Sequence, residues 1–222
     1  MPRCCASWAT VRRRLLNTPD STPAASIYTV GHSNQSAEEF LQLLRRHEIK
    51  VVVDVRSAPY SRWAPQFNQR EIRHSLTAAG LYYLYLGKEL GGRPASAELY
   101  DAEGHARYDL MAQTAAFRSG IERVLSGIQK YRVALMCSEE NPQDCHRRLL
   151  VGRVLLDHGV ALLHLRADGS IQQEDPASLI GNATYSQPAL LPDATPPAPE
   201  RWRSVRPIAG HSRTDDASDV GQ

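Results

Sequence analysis

The feature that most constrains the fold is an alternation of short apolar runs with segments of helical periodicity, repeated four times along the chain. The apolar runs have the length of β-strands, and the segments between them space their apolar residues as amphipathic helices do. Repeated strand–helix units predict an α/β fold, a three-layer sandwich around a mostly parallel central sheet of about five strands. The predicted strands cover 27–30, 51–53, 81–86, 133–136 and 160–165, and Asp168-Gly169 predicts an antiparallel hairpin at the sheet edge.

Length and composition divide the chain into one folded domain and two terminal segments. With 222 residues and a net charge of +2, the chain can bury one substantial core and carries no strong global field toward nucleic acid or membranes. We expect residues 1–25 to be a disordered extension, 26–175 to be the α/β domain, and 176–222 to be a Pro-rich disordered tail, with neither end contributing to the core. No disulfide scaffold and no apolar run of bilayer length is present, so we predict a cytoplasmic protein without a membrane partner.

Three sequence signals mark the starts of helices. Residues 36–39 and 68–71 have the pattern of capping boxes. After the fourth strand, Asn141 would cap a further helix and Pro142 would occupy its first position. The 87–113 segment is too long for an ordinary loop inside a compact domain, so we predict a lid over the functional site.

Polar and reactive side chains follow the predicted strands at the point where each strand ends. In a parallel sheet the carboxyl ends of the strands meet at one edge, and open α/β folds bind their ligands there. We therefore predict that residues far apart in sequence line one cleft at this edge. The candidates for a catalytic role are His32, Asp54, Glu139, Cys145 and His146. The candidates for ligand binding are Ser33, Arg56, Arg62, Gly91, Gly92, Arg93, Cys137 and Arg147.

Many of these residues lie in short motifs that resemble those of the DUF488 family and follow the same order. The motifs are Val30-Gly-His-Ser33, Asp54-Val-Arg-Ser57, Pro65-Gln-Phe-Asn68, Leu90-Gly-Gly92, and Met136-Cys-Ser-Glu139 followed by Cys145-His-Arg147. The resemblance covers about 27–165, nearly the whole predicted domain. It implies an α/β domain of a family whose biochemical role is not established, and it implies no catalytic assignment.

The leading hypothesis is a small enzyme acting on an anionic substrate that carries phosphate or derives from a nucleotide or nucleic acid. The helix predicted after the fourth strand would add backbone N–H groups to such a site. Either Asp54 or Glu139 would be the general base, with His32 or His146 as its proton partner. The planar donors suited to phosphate or carboxylate are Arg56, Arg62, Arg93 and Arg147. The aromatic side chains that could stack on a base are Tyr60, Trp63, Phe67 and Tyr83.

A second hypothesis is thiol chemistry, either sulfur transfer of the rhodanese type or a redox reaction. Cys137 follows a central strand, where rhodanese-like and phosphatase domains carry their nucleophile. The Cys-x5-Arg motif of those domains is absent, because Gln143 occupies the closing position. Acidic residues lie closest in sequence to Cys137, so Cys145 is the cysteine for which we predict the greater reactivity.

A third hypothesis is a ligand- or metal-binding domain without catalysis. Cys137, Cys145, His146 and His32 are types that bind zinc, but a single Cys-x7-Cys-His group is a weak zinc signature. We therefore assign no metal ligand. The sequence identifies no cofactor and no oligomeric state, and it leaves a nucleic-acid partner open.

Overall fold

The computed structural model describes residues 25–180 and 202–208 and confirms the three-layer α/β sandwich. Its central sheet has six strands in the order β3-β2-β4-β1-β5-β6. The first five strands pair in parallel, and β6 pairs antiparallel with β5, as the Asp168-Gly169 signal predicts. The strands are β1 (Ser26–Gly31), β2 (Val51–Asp54), β3 (Tyr82–Tyr85), β4 (Val133–Cys137), β5 (Ala161–Leu165) and β6 (Ile171–Gln173).

The register of the central strands aligns their carboxyl ends. Gly31, the last residue of β1, lies opposite Cys137, the last residue of β4. On the other side of β4, Asp54 at the end of β2 lies opposite Met136. The polar residues that follow these three strands therefore start from one edge of the sheet.

Helices cover both faces of the sheet and bury one apolar cluster on each. One cluster contains Phe40, Leu44 and Ile72, and the opposite cluster contains Phe117 and Leu155. The α-helices are α1 (Ala37–Arg46), α2 (Gln69–Ala78), α3 (Gly87–Leu90), α4 (Tyr108–Met111), α5 (Ala115–Ile128), α6 (Arg153–Asp157) and α7 (Pro176–Ile180). The shorter turns are 3₁₀-helical at Pro65–Phe67 and Ala97–Leu99 and π-helical at Arg147–Gly152.

One of the two predicted capping boxes forms. The Oγ atom of Ser36 accepts a bond from the N–H of Glu39, whose carboxylate accepts one from the N–H of Ser36 at 2.8 Å. Asn68 precedes α2, but its side chain makes no bond to the helix. Its Oδ1 instead accepts a hydrogen bond from the N–H of Ser61 at 2.7 Å. The prediction of a second capping box is therefore wrong, because the Asn68 side chain binds a nearby loop and not the helix.

The prediction of a helix that starts at Asn141 is also wrong. Asn141 closes a tight turn in which its Oδ1 accepts a bond from the N–H of Gln143, and the N–H of Cys145 donates to the carbonyl of Pro142. Helical structure begins only at Arg147. The loop after β4 therefore offers no helix terminus near Asn141 to an anion.

The 87–113 segment is packed into the core. It contains α3, α4 and a 3₁₀ turn, and Leu90, Ala106, Tyr108 and Met111 are all buried. This burial favours a fixed insert over a lid, because opening the segment would expose apolar side chains to water.

Part of the predicted disordered tail packs on the domain. Pro176–Ile180 forms α7, and residues 202–208 lie against the 99–109 segment. The indole N–H of Trp202 donates to the carbonyl of Leu149 at 2.7 Å, and Arg203 pairs with Asp101 at 2.6 Å. Residues 202–208 were expected to be disordered from their polar composition, but they pack on the domain because the single aromatic side chain of Trp202 anchors them.

Positions 1–24 of the predicted N-terminal extension lie outside the described residues, as do tail positions 181–201 and 209–222. None of the helices in the described part of the chain has the length and apolarity that crossing a bilayer would need.

Candidate functional site

Two cysteines and a histidine meet at the carboxyl end of β4. Cys137 ends the strand, and the loop that follows brings Cys145 and His146 back to it. The Nδ1 atom of His146 lies 3.7 Å from Sγ of Cys137 and 3.9 Å from Sγ of Cys145. The three atoms all lie within 4.8 Å of one another, and both cysteines are buried. We call this group the thiol–imidazole cluster.

A backbone carbonyl fixes the orientation of the imidazole. Nε2 of His146 lies 2.9 Å from the carbonyl oxygen of Val55, which can only accept, so Nε2 carries a proton and donates it. In the neutral ring, Nδ1 is then free of a proton and faces the thiols as an acceptor. Gly92 permits this packing, since a Cβ at that position would lie 2.6 Å from Cγ of His146.

The two thiols have opposite acidities. A hydrogen bond from Cys145 lowers the pKa of Cys137 well below its usual value, and the charges of His146 and Arg147 add to this effect against the cost of burial. Donating that bond, together with burial, raises the pKa of Cys145. Burial alone would lower the pKa of His146, but the charge of Cys137 raises it. The cluster therefore favours a Cys137 thiolate beside an imidazolium, opposite to the sequence-based prediction that Cys145 is the more reactive thiol.

Arg147 holds the loop after β4 in place from inside the protein. It is 1% exposed, and its guanidinium donates to the carbonyls of Glu139 and Glu140 and to the hydroxyl of Thr29. On the strand side, Gly31 allows close contact, because a Cβ there would lie 1.8 Å from the carbonyl oxygen of Glu139. Arg147 is thus a positioning residue, and its donors are not directed at a ligand.

Asp54, Arg56 and His32 form a second, closed network. Arg56 donates to both carboxylate oxygens of Asp54, at 2.9 and 2.6 Å, and to Nε2 of His32 at 3.0 Å. Asp54 also accepts the hydroxyl of Tyr83 at 2.8 Å. The His32 ring donates through Nδ1 to the carbonyl of Ser33 and stacks on Phe67 with ring centroids 4.2 Å apart.

This network is structural, because its members satisfy one another away from solvent. Asp54 is fully buried, and His32 and Arg56 are 3% and 4% exposed. Burial and the nearby Arg56 charge lower the pKa of His32 to about 4, so the ring is neutral near pH 7. Phe67 and Tyr83 are engaged in this network as well, so neither ring is free to stack on a base.

The remaining candidates lie around the same edge without joining the cluster. Gly91 packs against Ser57, and Ser57 Oγ accepts the N–H of Arg93 at 2.9 Å. The Ser33 N–H donates to the carbonyl of Ser138 at 2.9 Å. The side chains of Arg93 and Glu139 are exposed.

Arg62 lies on the surface loop that follows β2. Its guanidinium carbon lies 4.8 Å from the centroid of the Trp63 ring, and both side chains are exposed. The residues of the predicted single cleft are therefore divided among the thiol–imidazole cluster, the closed network of Asp54, Arg56 and His32, and an exposed basic and aromatic loop.

Sequence reasoning missed the carbonyl of Val55, which sets the tautomer of His146. A backbone carbonyl gives no signal in the sequence. Val55 does, however, directly follow the last residue of β2, and this position places it at the carboxyl edge of the sheet. Sequence reasoning also missed the part of Tyr83 in the Asp54 network, which alternation along β3 could have indicated by placing Tyr83 and Tyr85 on one face.

The thiol–imidazole cluster also has the geometry of three ligands for a soft cation. The buried guanidinium of Arg147 acts on both thiols and would repel a divalent ion at this position. This charge favours thiol chemistry over metal binding.

The fold and site define a class: an α/β domain with a buried thiol–imidazole cluster at the carboxyl edge of its sheet. Residues 36–154 match the family described as Domain of unknown function DUF488, and the chain belongs to that family. The match spans the segment from the N-cap of α1 into α6 and includes the whole cluster. No curated protein and no solved structure gives a significant match to the chain.

Proposed function

We propose that this protein is a thiol-dependent enzyme in which Cys137 is the nucleophile and His146 is its proton partner. The observation that carries the proposal is the geometry of the thiol–imidazole cluster, in which the Val55 carbonyl directs the basic Nδ1 atom of His146 at Cys137. Thiolates are the reactive form of cysteine, and an adjacent imidazolium is a common means of producing one at neutral pH.

The chemistry that fits two neighbouring thiols is exchange with a substrate S–S bond. The Cys137 thiolate attacks one sulfur of the substrate, a Cys137–S bond forms, and the substrate S–S bond breaks. The leaving thiolate takes the proton from Nδ1 of His146. Cys145 then gives its proton to Nδ1 of His146 and attacks Sγ of Cys137. The Cys137–S bond to the substrate breaks, the departing thiolate takes that proton and leaves as a thiol, and a Cys137–Cys145 disulfide remains. Two molecules of a low-molecular-weight thiol would reduce this disulfide, leave as their own disulfide and restore the enzyme. With a sulfane-sulfur donor the first step transfers a single sulfur to Cys137.

Backbone groups beside the nucleophile support binding of a negatively charged sulfur or oxygen there. Among the described residues, the N–H groups of Ser138, Glu139 and Glu140 donate no hydrogen bond within the protein. These N–H groups are therefore available to an anion that approaches the loop after β4.

Phosphate chemistry, the leading hypothesis from the sequence, has less support. Arg56 and Arg147 were predicted to bind the anion, but both are buried and direct their donors to groups inside the protein. The helix terminus near Asn141 does not form. Of the four arginines assigned to an anion, only Arg62 and Arg93 are exposed.

Alkylation with iodoacetamide at pH 7, followed by mass spectrometry of the peptides, tests the proposal. We expect Cys137 to be modified before Cys145 and faster than a free thiol of ordinary pKa. The His146→Asn variant should slow the reaction at least about tenfold, since the imidazolium that stabilises the thiolate is lost. The His158→Asn variant, at an exposed histidine, is the control and should react as the wild type does. Faster modification of Cys145, or a rate at Cys137 that does not respond to His146→Asn, would sink the proposal.

A further inference from the structure

The loop after β2 presents two large aromatic side chains to solvent. Tyr60 is 76% exposed and Trp63 is 82% exposed, the highest values among the large hydrophobic residues in the described part of the chain. The guanidinium of Arg62 lies over the Trp63 ring. Neither aromatic ring contacts another described ring. We call residues 58–64 the aromatic loop.

The aromatic loop is held rigidly although its rings are exposed. The Ser61 N–H donates to Oδ1 of Asn68 at 2.7 Å, and Oγ of Ser61 accepts from the N–H groups of Trp63 and Ala64. Ala64 is buried beneath the loop. An exposed aromatic side chain on a fixed backbone loses little conformational entropy when a ligand stacks on it.

The aromatic loop begins beside the proposed reactive cluster. It follows Val55, whose carbonyl orients His146, by three residues. Its far end leads into Phe67, which stacks on His32 at the end of β1. The aromatic loop therefore lies at the same edge of the sheet as Cys137.

The charge around the loop is positive. Between residues 57 and 78, the chain carries Arg62, Arg70 and Arg73 against a single acid, Glu71, and all four side chains are exposed. A basic surface with separate exposed aromatic rings fits a polyanion that carries planar rings at regular intervals.

We propose that the aromatic loop binds single-stranded nucleic acid, with bases stacked on Tyr60 and Trp63 and backbone phosphates paired with Arg62 and Arg70. This surface is separate from the thiol–imidazole cluster, so the inference goes beyond the proposed thiol chemistry. Binding itself does not depend on that chemistry, since the loop and the cluster share no side chain.

Fluorescence anisotropy with a fluorescein-labelled ten-nucleotide oligouridylate tests the binding. We expect Trp63→Ala and Tyr60→Ala each to weaken affinity at least about fivefold, from the energy of one base–aromatic stack. Trp63→Phe should recover most of the affinity because it keeps a planar ring. Arg62→Ala should reduce the dependence of affinity on salt. The matched control is Tyr131→Ala, an aromatic side chain 46% exposed at the amino end of β4, which should bind as the wild type does.

Failure of the wild-type protein to bind the oligonucleotide would overturn the inference. The same holds if Tyr131→Ala weakens binding as much as Trp63→Ala, or if uridine monophosphate binds as tightly as the oligonucleotide. The Cys137→Ser variant separates the two proposals, since it should keep full binding. Slow alkylation of Cys137 alongside normal binding would count against the thiol function and leave the nucleic-acid surface standing.

Discussion

Protonation of His32 is expected to make the protein less stable in mild acid. The folded protein holds this ring neutral, because burial and the Arg56 guanidinium 3.0 Å away lower its pKa from 6.5 to about 4. In the unfolded chain the ring has its ordinary pKa, so between these two values the unfolded state binds a proton that the folded state does not. Stability is then lost as the pH falls through 6.5 toward 4.

The magnitude follows from the difference between the two pKa values. One pKa unit corresponds to about 1.4 kcal/mol. Lowering the pH from 7 to 4.5 should therefore remove about 2 kcal/mol from the free energy of unfolding through protonation of His32 alone. The comparison stops at pH 4.5 because protonation of other groups changes the free energy of unfolding below that pH. Burial raises the pKa of Glu174, but hydrogen bonds from His164 and Arg148 outweigh it and lower that pKa to about 2, so the stability this group supplies is lost only below its unfolded value of 4.5.

The contribution of His146 has the opposite sign and lies in a different range. Because its pKa is raised in the folded protein, the stability it contributes is fully present below 6.5 and is lost as the pH rises through the folded value. It adds no slope between pH 6.5 and 4.5.

Urea unfolding at several pH values measures the effect. The His32→Gln variant keeps a side-chain oxygen that can accept from Arg56 but cannot take up a proton. It should be less stable throughout, since it loses the stack on Phe67, and its free energy of unfolding should vary less between pH 6.5 and 4.5. The exposed His158→Gln variant serves as the control and should retain the wild-type slope. Equal slopes in the wild type and His32→Gln would refute the reasoning.

Two further predictions concern the C-terminal segment and the packing of the cluster. Deletion of residues 181–222 should lower the thermal midpoint by about 5 °C, because the chain loses the Trp202 anchor, and differential scanning fluorimetry would measure this; an unchanged midpoint would mean that the segment adds nothing to the fold. Gly92→Ala should slow alkylation of Cys137 several-fold by displacing His146. Gly127→Ala, whose added Cβ would lie 3.8 Å from its nearest neighbour, should leave the rate unchanged. Equal alkylation rates in the two variants would show that the position of the His146 ring does not depend on Gly92.

The fold could be predicted because periodicity carries information about burial. The apolar runs at 133–136 and 160–165 became β4 and β5, and the spacing from Phe117 to Ile128 became α5. The same information is absent from 138–146, where turn formation by the Asn141 side chain overrode the helix signal. A capping residue and a turn-forming residue share the same chemistry, so sequence alone did not separate these outcomes.

The candidate site was predictable in its location but not in the roles of its residues. Strand ends placed Cys137, Arg56 and Arg147 at one edge, as parallel pairing requires. Their roles depend on which donor meets which acceptor, and that is set by the packing of distant segments. Arg147 illustrates this, because its sequence neighbours are reactive residues while its own donors hold the carbonyls of the loop.

The π-helical turn at Arg147–Gly152 joins the reactive loop to α6. A π-helical turn holds one more residue than the same span of α-helix, and removing that residue would restore regular winding. Each residue of an α-helix rotates the chain by about 100°. An extra residue in a regular α-helix would turn the chain beyond it by that angle, whereas the π-helical turn accommodates the residue locally and keeps the direction of α6. The loop after β4 and α6 should therefore tolerate the loss of one residue at this turn, because the regular winding that replaces it leaves the two segments facing the same way.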